Sequence, residues 1–255
     1  MLFFPQLSSG AISQMPLRRE TRYRTLLNRM LDATEIRVAD LDYFERHWEL
    51  ALEHLTDAEW EAIQDLFAAT EGRLQSFLFL EPGENLLAWS EKFTEDVWVK
   101  GGVSVAEGIG DPFGGTDASQ LTGNGILSQT LAIPEALRYA ASVWARTSQP
   151  GAALQLNAAS VEIDSSGQWR RYSLSTAGGG AGETVEFRVV ASAASVDLYG
   201  AQLEAQPAVS NYKKTLQLGE VHPGARFSSD TLEDRATGPG EHAGVISITW
   251  TPSQT

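Results

Sequence analysis

Glu45-Arg46-His47-Trp48-Glu49-Leu50-Ala51-Leu52, then Thr56-Asp57-Ala58-Glu59-Trp60, then Gly72 is the stretch whose reading decides the fold. Trp48, Leu50 and Leu52 alternate with His47, Glu49 and Ala51, the period of a half-buried strand. Thr56 and Glu59 stand in the S/T-x-x-E spacing of a capping box, in which hydroxyl and carboxylate each satisfy an orphan N–H. Trp60, Ile63, Leu66 and Phe67 then form one apolar helical stripe, and Gly72 is placed to end the helix. Residues 74–80 read as a second strand, with Phe77 and Phe79 on one face. A lone helix of this length is marginal in water, so it needs the sheet that these strands supply.

Outward from that unit, Arg22-Tyr23-Arg24-Thr25-Leu26 and Glu35-Ile36-Arg37-Val38-Ala39 alternate charge with apolar groups around a turn at 28–33. Arg18, Arg19, Arg22, Arg24 and Arg29 gather there against Glu20 and Asp32, either as a solvated sheet face or as a polar interface with a neighbouring subunit. Residues 84–213 are rich in Gly, Ala, Ser and Thr, with short alternating runs at 98–105, 129–133, 138–146, 153–163, 169–175, 184–190 and 195–204. Turn residues separate them, which predicts a sandwich or jelly roll. Val245-Ile246-Ser247-Ile248-Thr249-Trp250 reads as a terminal strand. The last forty residues are too few to fold alone, so this strand is expected to pair with one from the first eighty.

Composition narrows the function. The 255 residues include no cysteine, which excludes disulfides, thiol nucleophiles and thiolate metal sites. A net charge of −14 argues against a nucleic-acid binder. No run approaches the length of a membrane span, and Met1-Leu2-Phe3-Phe4-Pro5 is too short for a signal peptide. The expectation is a protein made in the cytoplasm without an export signal of its own.

His47, His54, His222 and His242 do not fall in a zinc-enzyme spacing, and no G-x-S-x-G elbow or phosphate loop occurs. Asp96, Asp111, Asp117, Glu162, Asp164 and Glu204 supply carboxylates, but sequence does not place two of them at a glycosidase separation. The chain therefore reads as a non-enzyme.

Two resemblances sharpen this. Asn85-Leu86-Leu87-Ala88-Trp89-Ser90, Asp111-Pro112-Phe113-Gly114-Gly115-Thr116-Asp117 and the closing Tyr199-Gly200-Ala201-Gln202-Leu203-Glu204 resemble a carbohydrate-binding-like jelly-roll module common in phage tail proteins. The outer segments, with Phe4-Pro5, the Trp48 strand, Gly72-Arg73, Phe77-Leu78-Phe79 and Ala225-Arg226-Phe227-Ser228-Ser229-Asp230-Thr231-Leu232, resemble a phage distal tail or baseplate-hub family also found in gene transfer agents. Together they imply a mainly β protein with one prominent α-helix. Residues 1–83 and 214–255 would form a sandwich or barrel-like hub domain, and 84–213 an inserted jelly roll. The resemblance implies a structural component of a phage-like tail tip, made in the bacterial cytoplasm. It would form a ring, typically hexameric, between tail tube and hub proteins, with the insert either contacting host surface polysaccharide or bracing its neighbours. The alternative is a carbohydrate-binding adhesion protein or accessory module without an assembly role.

Sugars stack on aromatic faces with polar groups at their hydroxyls. Of Trp89, Trp98, Tyr139, Trp144, Trp169, Tyr172, Tyr199 and Tyr212, alternation turns Trp144 away from Tyr139 and Tyr199 away from Val196 and Leu198, and these two with Trp169 are taken as the exposed candidates. Related jelly rolls often hold a structural calcium, for which Glu107, Asp111 and Asp117 offer hard oxygen ligands. Ring contacts are expected from the apolar terminus Leu2, Phe3 and Phe4 and from Arg22 and Arg24. Neither nucleic-acid binding nor membrane insertion is expected.

Overall fold

The computed structural model describes residues 1–252, and the side chains of 41, 42, 193 and 194 lie outside the described set. The protein is mainly β, with one α-helix among the described residues. The chain divides into two compact units. One comprises Met1–Pro5, Ser13–Phe79 and the segment from His222 onward; the other comprises Gln6–Ile12 and Leu80–Val221.

The first unit is built on a six-stranded sheet. β1 (Leu17–Arg29) and β2 (Glu35–Thr56) form a hairpin, and the central path runs β1, β2, β13 (Glu241–Trp250), β11 (Val221–Phe227) and β3 (Phe77–Leu80). β12 (Arg235–Gly238) pairs with β13. The two runs read as separate strands at 35–39 and 46–52 are one strand of 22 residues. β13 pairs antiparallel with its second half, so Val245–Trp250 lies beside Ala51–Arg46. Trp48, Leu50 and Leu52 are almost completely buried.

The helix α1 (Asp57–Ala69) carries the capping box in full. Glu59 N–H donates to Thr56 Oγ1 at 3.3 Å, and Thr56 N–H donates to Glu59 Oε2 at 2.8 Å. Trp60, Ile63 and Leu66 face the core. The helix closes through Gly72, whose N–H donates to Phe67 O at 3.0 Å with a φ of 66° that suits glycine. Rings fill the interior: Trp48 meets Phe79 at 4.9 Å and His222 at 4.8 Å, and Phe227 meets Phe77 and Phe67.

Phe4 corrects one expectation. It was to be an exposed contact residue with Leu2 and Phe3, yet it is 2% exposed. Its N–H donates to Leu78 O, Phe3 bridges Leu78 in parallel, and its ring packs on Phe77 and Phe79. The terminus covers an edge of its own sheet. Leu2 stays exposed.

The second unit holds a seven-stranded sheet: β4 (Val99–Ile109), β5 (Ala118–Leu131), β10 (Val185–Glu204), β6 (Ala140–Arg146) and β9 (Arg170–Ser175), with β7 (Ala152–Leu156) and β8 (Ala159–Ile163) alongside. β10 is its spine. Its first half pairs with β5 and β7, its second with β5 and β6, and the register shifts between Ala191 and Ala194. β5 is longer than the 129–133 run because Gly123 and Gly125 break the alternation. A Cβ at Gly125 would stand 1.9 Å from Gly101 O, so only glycine lets β4 and β5 approach there. The run read as one strand at 153–163 is the β7–β8 hairpin, turned at Asn157 with φ 48°.

Gln6–Ile12, residues 80–83 and residues 214–221, all expected with the hub, pack in this unit. The Gln6 side chain donates to Arg138 O at 2.8 Å and accepts from Arg138 N–H at 2.7 Å, and Leu7 and Ile12 are buried.

A pH-dependent clamp holds the first unit. His242 Nδ1 lies 2.9 Å from Asp234 Oδ1 and its Nε2 2.9 Å from Asp57 Oδ1, while the ring stacks on Trp60. Hydrogen bonds to Asp234 and then Asp57 raise the imidazole pKa above its ordinary value. A raised folded-state value stabilises fully below the unfolded value, about 6.5, and the contribution is lost as pH rises through the folded value. The stability gap between wild type and His242→Gln, measured by urea denaturation, should shrink from pH 6 to pH 9. A gap independent of pH would contradict the clamp.

Candidate functional site: an aromatic and arginine face

Period two along β10 and β6 sets Asp197 and Tyr199 on the same face as Trp144 and Arg146, because Asp197 pairs with Arg146 and Tyr199 with Trp144. The opposite face carries Val196, Leu198, Val143 and Ala145, all buried. Trp144 pairs in turn with Arg171 of β9. Two ranks of side chains therefore cross the sheet.

In the first rank, the Trp144 and Tyr199 rings are 6.1 Å apart. Tyr212 approaches Trp144 at 5.3 Å and Tyr199 at 5.9 Å. Phe113 caps both from its loop at 5.6 and 5.8 Å while remaining 69% exposed. The Arg171 guanidinium lies 4.6 Å over the Trp144 ring. It donates to Ser142 Oγ and, at 2.7 Å, to Ser210 O. Burial lowers its pKa, and the Glu204 charge opposes that.

In the second rank, Asp197 accepts from Arg146 Nε at 2.7 Å and from Gln120 Nε2 at 2.8 Å. Arg146 lies 4.8 Å over the Trp169 ring, and the buried Trp169 Nε1–H finds no acceptor among the described residues. Gln120, Arg146, Thr147, Ser148, Ser195 and Asp197 contribute to a cavity of about 220 Å³. Each rank joins an aromatic surface to fixed donors and acceptors, a combination suited to polyhydroxylated ligands.

Beneath the first rank, Ser90 Oγ and Tyr212 Oη are 2.8 Å apart, and Tyr212 O–H donates to Glu91 Oε1 at 3.0 Å. Lys214 pairs with the buried Glu91. Burial above all pushes the Tyr212 and Tyr199 phenols well up, so both stay neutral donors.

The structure thus brings Trp144 and Tyr199 into contact and sets Trp169 in the neighbouring rank, but none of the three is the freely exposed ring expected: each is half-buried, Trp144 and Tyr199 against Phe113 and Trp169 against Arg146. Trp98 and Tyr139 are core residues. Tyr212, one of the eight aromatics weighed in the sequence, completes the face with Arg171 and Phe113, for which the sequence offered no binding role. Arg171 arrives through the pairing of β9 with β6, and the other two reach the site through loops whose paths no local period reveals.

The three carboxylates expected to hold calcium do not form a common site. Asp111 accepts N–H groups of Phe113, Gly115 and Asp117 at 2.8, 3.1 and 3.3 Å. Against the raising effect of burial, these donors hold its carboxyl below the ordinary range. Its oxygens shape the loop that presents Phe113. Glu107 instead accepts from Thr94 and pairs with Lys92. Among the described residues, no grouping of acidic and imidazole ligand atoms gathers Glu107, Asp111 and Asp117.

Arg22 and Arg24 lie on the β1–β2 hairpin, paired with Glu20 and Glu45 and with Asp40. Along the same hairpin Tyr23, Leu26, Leu27, Leu31, Ile36 and Val38 are exposed.

No protein-family profile and no curated protein matches the chain. Among solved structures it is similar to the enzymatically active domain of bacteriophage CBA120 tailspike protein 4, at 14% identity and a TM-score of 0.39, covering 49% of this chain and 22% of that one. It is also similar to the CBM22-1 xylan-binding domain of Paenibacillus barcinonensis Xyn10C, at 19% identity and TM-score 0.38, covering 50% of this chain and 97% of that one. A CBM4 structure matches at 13% identity and TM-score 0.32, covering 50% and 84%. The chain thus spans about a fifth of the tailspike domain's length. Among the described residues, no helix is long and apolar enough to cross a membrane.

Tyr212→Phe should strip a donor from the buried Glu91 carboxylate and a partner from Ser90, costing about 1–3 kcal/mol. Guanidinium denaturation of the purified protein checks this; unchanged stability would show that the network does not support the face.

Proposed function

We propose that the protein is a structural component of a phage-like tail tip whose second unit contacts host-surface polysaccharide. The observation that carries the glycan half is the rank Tyr199–Trp144–Arg171, with Phe113 exposed above it. A ring-shaped apolar surface and a fixed cation suit the alternating apolar faces and hydroxyls of a sugar chain. Asp111 and Glu204 are each held by protein donors, Asp111 by its loop and Glu204 by Ser210 and Gln206, and so brace the face.

The assembly half rests on the hub-family resemblance and on the β1–β2 hairpin, which holds apolar side chains in water. A two-stranded ribbon is marginal by itself. A free carbohydrate-binding protein would need the aromatic face and leave this ribbon without a use. Copies in a ring between tube and hub would multiply weak single-site sugar binding by avidity. The ring is expected to be a hexamer on the tail of a phage-like particle, made in the bacterial cytoplasm.

The test uses the full chain against immobilised bacterial cell-wall polysaccharide and a glycan array. The triple variant Trp144→Ala, Trp169→Ala, Tyr199→Ala should bind at least roughly tenfold more weakly, since each stacking aromatic contributes on the order of 0.5–1.5 kcal/mol. Equal retention of variant and wild type would overturn the glycan half. The assembly half fails if negative-stain images and light scattering show only single chains at every concentration.

A further inference from the structure

On the aromatic face, Trp144 and Tyr199 are half-buried, and the Arg171 guanidinium already lies over Trp144. Phe113 is the ring that stands open, 69% exposed. A sugar that stacks on this face meets Phe113 first. What surrounds Phe113 therefore decides which sugars are admitted.

Phe113 belongs to a loop that begins and ends on a carboxylate. Asp111 accepts from the N–H groups of Phe113, Gly115 and Asp117, so the loop closes on itself. Asp117 immediately precedes β5, and Ser119 of β5 pairs with Leu198, the neighbour of Tyr199. The chain path thus brings Asp117 to the Tyr199 end of the rank. Burial first, then the hydrogen bond and charge of Glu91, then the charges of Asp111 and Asp117 push the Tyr199 phenol up. That end of the rank lies in a negative field.

Most charges of the face cancel in pairs. Arg146 is held by Asp197 at 2.7 Å. Lys214 pairs with Glu91. The buried Glu204 sets its charge against Arg171, whose N–H groups are engaged by Ser142 and Ser210. Asp111 and Asp117 are left over. Asp111 is met by backbone N–H groups, which carry no net charge. Lys214 lies within the field of Asp117, but its ammonium is bonded to Glu91. The rim of Phe113 therefore keeps two negative charges that these cations do not offset, in a chain whose net charge is −14. An anionic sugar brought against that ring is repelled, and an uncharged one is indifferent to the field. An ammonium is attracted both by the carboxylates and by the negative face of the ring.

We infer that Asp117 makes this face charge-selective: it takes sugars bearing free amines in preference to uncharged ones and turns away uronate- and phosphate-bearing glycans. This rests on the glycan half of the proposed function and names the class of glycan. Arg171 does not reverse the sign, because Glu204 opposes it.

The test is the full chain on a broad glycan array that includes matched pairs: glucosamine oligomers with their N-acetylated forms, and galacturonate oligomers with their methyl esters. Wild type should bind acidic members roughly fivefold or more weakly than their uncharged forms at low salt, and amines more tightly than their acetylated forms. Added salt should weaken the amine signals and leave the uncharged ones in place. Asp117→Asn removes one of the two leftover charges and Asp117→Lys cancels both, so the acidic-to-uncharged ratio should rise in that order. Asp117 is exposed, and circular dichroism checks that both variants fold. Acidic glycans bound as tightly as uncharged ones, amines bound no better than their acetylated forms, or an unchanged ratio in Asp117→Lys overturns the inference and leaves glycan binding standing. A wild type that binds nothing on the array removes the glycan reading itself, and the inference with it.

Discussion

The antiparallel pairing of β13 with the inner half of β2 is the constraint on which the rest depends. It runs from Trp250 opposite Arg46 to Glu241 opposite Thr56. It brings the last strand of the chain against a strand of its first eighty residues, so the first unit cannot complete its sheet until the whole chain exists. It also fixes the hairpin. β2 is one strand of 22 residues whose inner half lies in the core and whose outer half pairs with β1 in solvent. The ribbon thus extends from a strand that the core already clamps through β13.

A long strand does comparable work in the second unit. β10 spans 20 residues and changes partner from β7 to β6 at its register shift. Beyond that shift it carries Asp197 and Tyr199 outward and Val196 and Leu198 inward. The aromatic face is thus a consequence of alternation along one strand, backed by Trp144 and Arg146 on the next. Regular strands hold such groups more firmly than loops do, and Phe113, Trp169 and Tyr212 reach the face from irregular chain.

Much of this was legible in sequence where a local rule operates. The Thr56–Glu59 box, the Trp48-Leu50-Leu52 alternation and the Trp60-Ile63-Leu66 stripe are local patterns, and each sits where the pattern puts it. Trp144 and Tyr199 were separable from their neighbours by the same period of two. What escaped depends on distant chain. β11 holds Pro223-Gly224 and has no alternating run to announce it; its place is set from afar, where Trp250 Nε1–H donates to Pro223 O. The early part of β5 hides behind Gly123 and Gly125, which exist for the approach of β4. Phe4 read as an exposed terminus because nothing nearby in sequence announces its pairing with Leu78. Arg171 and Tyr212 join the face only through the pairing of β9 with β6 and the return of the chain after β10.

The cysteine-free chain allows a direct measurement of the central pairing. Glu49 and Ser247 stand opposite each other in register. With Glu49→Cys and Ser247→Cys introduced together, a short thiol-specific cross-linker applied to the dilute native protein should join the two positions within one chain. Mass spectrometry of the digest should recover the linked peptide in nearly all molecules, and shifting one cysteine to Ala51, away from that register, should reduce it sharply. Failure to link 49 with 247, or equal linking in the shifted pair, would contradict the account.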